Sequence, residues 1–136
     1  LNEFTKIEEA FLQSIEEARI ATSHEDIPHV KPVSYIYHDK VIFIATDYKT
    51  RTFKNIKINP HVSLAIDVYI PGKHKAVCIQ GTAEILEQGK EFLETYKMFD
   101  KKFDWVRNDP WKENEAPILK ITVNNKISWG LEQGVK

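Results

Sequence analysis

Three observations predict a mainly β fold, a small antiparallel barrel with helices packed outside it. Short runs rich in β-branched and aromatic residues recur along the chain, separated by turn residues. Most of these runs follow one another directly or across one short helical stretch, the connectivity of hairpins. The chain has 136 residues, about one domain with a single core, and the expectation is one domain over 1–136. A doubly wound sheet would need strands alternating with full helices, and that rhythm is absent.

The elements follow in order. From about residue 3 to 18, Phe4, Ile7, Phe11, Leu12 and Ile15 recur at helical spacing with acids between them. "ARIATS" is a first strand, and "IPHVKPVSYIYHDKVIFIATD" a hairpin turning near His38-Asp39-Lys40. Pro32 lies inside the hairpin's first strand and cannot donate to a ladder, so a bulge, an edge or a ligand-facing backbone is expected there. In "DYKTRTFKNIKINP" Thr50 is the cap of a short helix. Phe53 and Ile56 turn inward, while Arg51, Lys54 and Asn55 share another face. Asn59-Pro60 ends that helix. "HVSLAIDVYI" and "AVCIQGTAEIL" are strands, with Gly81 permitting a bend in the second. From about 87 to 104 the pattern is helical, with Phe92, Leu93, Tyr96 and Phe99 inward. "DWVRNDPWKENEAP" is a polar loop holding two tryptophans, and "ILKITVNNKISWG" a closing hairpin with Asn124-Asn125 at its turn. The sum is about seven short strands.

Composition narrows the function classes. The formal net charge is −1, which disfavours nucleic acid as a partner. No apolar run approaches the length of a membrane span, so no membrane partner is expected. The acidic, amphipathic opening is unlike a secretory signal, and the expectation is a cytoplasmic protein. Cys78 is the single cysteine and sits in a strand-like run, the place of a buried structural thiol. The five histidines are not at metal-ligand spacing, so no metal is expected. Neither a nucleophile elbow nor a glycine-rich phosphate loop is present, and no side chain is assigned a catalytic role.

One stretch stands out. Lys49, Arg51, Lys54 and Lys57 crowd the start of the short helix, where the backbone dipole disfavours cations. A bound anion reverses that sign, because free amides, an arginine fork and threonine hydroxyls all suit phosphate. A solvated basic face is the alternative reading of the same residues.

The ordered run "ARIATS…IPHVKPVSYIYHDKVIFIAT…TRTFKNIKINPHVSLAID", from about Ala18 to Ile85, together with the closing "ILKITVNNKISWG", resembles the FMN-binding split-barrel family related to pyridoxamine 5′-phosphate oxidase. The resemblance implies a split β-barrel that forms a homodimer, with FMN in a groove at the subunit interface. Thr50, Arg51 and Thr52 fall where the family has a Ser-Arg-Lys triplet on the phosphate. Thr52 departs from that triplet, and Lys54 one helical step on supplies the missing cation. Lys31 matches a basic residue reaching the phosphate side. Val33 and Ser34 match a strand whose main chain runs beside the flavin ring, and Ala45 and Thr46 a contact on its neighbour. The oxidase proper has an arginine and a histidine near its end to hold its substrate. Here "ISWGLEQGVK" has neither, which disfavours vitamin B6 oxidation. The implied activity is an FMN-dependent oxidoreductase using a small-molecule electron donor or acceptor. A flavin carrier or sensor, and a deazaflavin- or haem-binding relative, are the alternatives. Trp105 and Trp111 are candidates to lid the flavin, and Trp129 and Lys75 to reach its ring from the partner.

Overall fold

The computed structural model describes residues 3–132. Ten elements follow in chain order: α1 (Lys6–Ser14), β1 (Glu17–His24), β2 (Ile27–His38), β3 (Val41–Ala45), α2 (Arg51–Ile58), β4 (His61–Val68), β5 (Lys75–Leu86), α3 (Lys90–Lys102), α4 (Trp105–Asn108) and β6 (Ile118–Trp129). The six strands close a barrel in the order β1-β2-β3-β6-β5-β4, every neighbouring pair antiparallel. It is a split barrel: β2 pairs with β3 only as far as Tyr35↔Ile44, then continues on β1 alone down to Ile27. Among the described residues no helix is long and apolar enough to cross a membrane.

Alternation fills the interior. Ala18 and Ile20, Val33 and Tyr35, Ile42 and Ile44, Leu64 and Ile66, Val77 and Ile79, and Leu119 and Ile121 point inward and form one core. Helix α1 closes one mouth, capped by Thr5 in a reciprocal box with Glu8. Ile56 of α2 joins the same core. A second core lies outside the barrel, where Phe92, Phe99, Phe103 and Val106 of the α3–α4 segment cover Ile36, Phe43 and Ile118.

Five expectations need correction. The bulge at Pro32 is absent, since Arg19↔Pro32 and Ile20↔Lys31 continue one unbroken register. The Tyr35 amide donates to the Glu16 carbonyl at 3.3 Å, so odd-numbered amides of β2 face β1 and even-numbered ones face the other edge. Proline at an even position therefore removes a donor only from the unpaired edge. The closing hairpin is one strand, β6, paired with β5 along its length, which gives six strands. Asn124 is the extra residue of a bulge at the Gln80/Gly81 register shift. The irregularity opposite Gly81 thus lies on β6, and what Gly81 permits is close approach, since a Cβ there would lie 2.5 Å from the Thr122 carbonyl oxygen. Asn55 leaves the exposed face expected for it, because it is buried and its Nδ2 donates to Thr22 Oγ1 at 3.0 Å. Leu93 is exposed on the outer side of α3.

Candidate functional site

Helix α2 begins as its sequence predicts. Thr50 Oγ1 accepts from the Phe53 amide at 3.1 Å and lies 3.2 Å from Thr46 Oγ1, joining the end of β3 to the helix start. Phe53 and Ile56 are buried, which fixes the helix's rotation and leaves Arg51, Lys54 and Lys57 in solvent. Among the described residues none of these three cations lies within 4.0 Å of a carboxylate. Thr52 carries the anomaly. It is 0% exposed, and its Oγ1 has no hydrogen-bond partner in a first turn where backbone amides are also free.

The remaining expected residues surround the split. Lys31 is half-buried on β2, the strand against which α2 packs together with β1. Val33 faces the barrel core, so only its main chain is open to a ligand. Ser34 is half-buried at the last β1–β2 pair, Glu17↔Ser34, where β2 parts from β3. Lys102 of α3 pins this point by donating to the Tyr35 carbonyl at 3.0 Å and the Ile15 carbonyl at 2.8 Å. Burial holds its pKa below the usual lysine range. Ala45 and Thr46, past the end of β3–β2 pairing, line a cavity of about 330 Å³. The structure therefore brings Thr46 and Thr50 together, and sets Ala45 and Thr46 at the end of the split.

Trp105 and Trp111 line that same cavity, their rings 6.0 Å apart and 9° from parallel. Sequence spacing alone does not bring the 105–116 loop to residues 45–47. Packing does, through the edge-on contact of Trp111 with Tyr96 at 4.7 Å and the tilted contact of Trp105 with Phe103 of the second core at 5.9 Å. Trp129 lies elsewhere, on the outer face of β6. Its Nε1 donates to His74 Nδ1 at 3.3 Å, so the proton of that imidazole is on Nε2, 3.0 Å from Asp67 Oδ2. Lys75 is the neighbour of Trp129's cross-strand partner Ala76, but alternation turns it to the other side of the sheet, into a recess against α1. Residues 133–136, the end of the stretch lacking arginine and histidine, lie outside the described residues.

A broad groove of about 620 Å³ runs across the outer face of β1, β4, β5 and the end of β6. Arg19, Ala65, Cys78 and Ile127 form one cross-strand row there. Val30 and Ile127 are 65% and 64% exposed, and no element among the described residues covers them. Burial and the negative charge of Asp67 raise the pKa of the Cys78 thiol, so it is not an activated nucleophile.

Comparison with known proteins places this architecture. The family described as pyridoxamine 5′-phosphate oxidase matches residues 4–125. No curated protein matches the sequence. Among solved structures, the haem storage protein HutZ from Vibrio cholerae superposes with a TM-score of 0.79 at 15% identity, over 91% of this chain and 94% of that one. A FAD-binding protein from Mesorhizobium loti gives 0.70 at 22% identity, over 88% and 87%. A conserved hypothetical protein from Mycobacterium tuberculosis gives 0.75 at 20% identity, over 99% and 90%. These likenesses show the fold. The chain belongs to the pyridoxamine 5′-phosphate oxidase family.

Proposed function

We propose that this family member is an FMN-binding oxidoreductase, acting as a homodimer on a small-molecule donor or acceptor. The observation that carries the reading is Thr52: a buried hydroxyl without a partner, in the first turn of a helix whose start also carries Arg51 and Lys54 unpaired. An empty helix start gains nothing from these cations, whereas a phosphate satisfies hydroxyl, amides and guanidinium together. Thr50 caps the helix and positions Thr46, and Lys31 adds charge from β2. The ring lies along the open main chain of Val33 and Ser34 on one strand and Ala45 and Thr46 on the other. When bound, the flavin supplies hydride or electron transfer, and the protein's part is to orient it and exclude water.

The groove on the outer face supports the dimer. A small barrel cannot wall in a flavin ring alone, and a two-fold contact supplies a second wall twice. Exposed Val30 and Ile127 give that contact its apolar centre. Haem, which the Vibrio cholerae relative's description names, suits this chain less well. Both nitrogens of the His74 imidazole are engaged, by Trp129 and Asp67, which leaves neither free for an iron.

The test is Arg51→Ala, titrated with FMN and with riboflavin. A charge-assisted bond contributes roughly 1.5–3 kcal/mol, so FMN affinity should fall about ten- to a hundredfold with riboflavin nearly untouched. The flavin-free variant should be slightly more stable, because a cation beside the positive helix end is removed. Equal FMN affinity in both proteins would sink the phosphate assignment.

A further inference from the structure

We propose that the cavity between the end of β3 and the Trp105–Glu115 loop binds an organic cation, a protonated or quaternary amine. This rests on the flavin reading only in making that cation the substrate's charged group, since Ala45 and Thr46 border both sites. Three carboxylates from two stretches, Asp47 after β3 and Asp109 and Glu115 in the later loop, line the cavity. Asp47 accepts from the Lys49 amide and Glu115 from the Lys112 amide, each through one oxygen. Among the described residues none of the three pairs with a cation within 4.0 Å.

The stacked indoles of Trp105 and Trp111 supply the cavity's aromatic wall. Indole is the best aromatic face for a cation, and a soft, weakly hydrated ammonium loses least on leaving water. Trp105 is 37% exposed, so this ring is not packing alone.

Two other occupants fit worse. No group of three His, Cys, Asp or Glu among the described residues is close enough to hold a metal ion, so the carboxylates ring a space and do not form a cage. A flavin phosphate would meet three like charges there, and α2 already offers it cations.

The experiment uses the full chain without flavin. Tryptophan fluorescence is followed during titration with choline and with its neutral isostere 3,3-dimethylbutan-1-ol at low salt, in a Trp129→Phe background that removes the distant indole. Choline should give a saturable change at millimolar concentration, with the alcohol at least about tenfold weaker. Asp109→Asn and Trp105→Leu should each weaken choline by about three- to tenfold, with circular dichroism unchanged. Arg51→Ala should leave choline binding intact. No saturation up to about 50 mM choline, equal binding of the alcohol, or full affinity in the Asp109→Asn/Trp105→Leu double variant would each overturn the proposal. The two readings fail separately: choline bound without FMN removes the flavin, and FMN bound without choline removes the cation.

Discussion

Outside β2, β3 and the first half of β6, α3 and α4 lay four buried side chains, Phe92, Phe99, Phe103 and Val106, over the sheet. Outside β1, β4, β5 and the second half of β6, Val30 and Ile127 stand in solvent above a groove of about 620 Å³. Both faces carry apolar side chains, so hydrophobicity alone does not distinguish them. What differs is the supply of covering chain: α3 lies between β5 and β6 and returns over one side only. An apolar face that the chain itself covers is core; one left open is where a second molecule is expected.

The largest effect should come from the covered face. Phe99→Ala removes a fully buried ring and should lower the unfolding free energy by about 3–5 kcal/mol in urea denaturation. A loss no greater than that of an exposed substitution would make the α3 face dispensable and erase the contrast.

A middle-sized effect tests the inward side of the same strand that forms the open face. Glu8 is buried, and although burial opposes its charge, bonds from Lys126, Ser128 and Thr5 outweigh it and hold the carboxyl below its ordinary range. Lys126 Nζ lies 2.5 Å and Ser128 Oγ 2.6 Å from its oxygens. A folded pKa below the unfolded one gives stability that is present above the unfolded value, near ~4.3, and is lost as pH falls through the folded one. Glu8→Gln should cost about 1–3 kcal/mol at neutral pH, and its thermal melts should lose less stability than the wild type between pH 5 and 3 (about that range). Parallel curves would assign the acid sensitivity elsewhere.

The smallest change in fold stability is expected at the open face. Ile127→Asp should alter the stability of the isolated subunit by no more than about 0.5 kcal/mol while converting the proposed dimer to a monomer in sedimentation. A dimer that survives the substitution moves the interface to another surface. Flavin affinity should fall with dissociation, which ties this outcome to the second wall of the ring.

Much of this was legible in the sequence. Runs of β-branched and aromatic residues joined as hairpins indicate the barrel class, and Thr50, Phe53 and Ile56 the position and rotation of α2, because caps and spacing act within one turn. Asn55 was misplaced because its partner, Thr22, lies on another element. Asn124-Asn125 reads as a turn locally, and only the 12-residue β5 beside it keeps the strand extended. The cation cavity was less legible still. Its walls come from residues 45–47 and 105–116, and no local pattern records their meeting.

The bulge at Asn124 sets a reading frame. Before it, odd-numbered residues of β6 face the core, as Leu119 and Ile121 do; after it, even-numbered Lys126 and Ser128 turn inward to Glu8, and Ile127 and Trp129 turn out. One codon thus governs the open face and the ion pair at the barrel mouth together. Deleting it would drive Ile127 and Trp129 toward the interior and strand Lys126 outside. Point substitution can tune the face residue by residue, but a change in length at this position can only exchange one complete surface for the other.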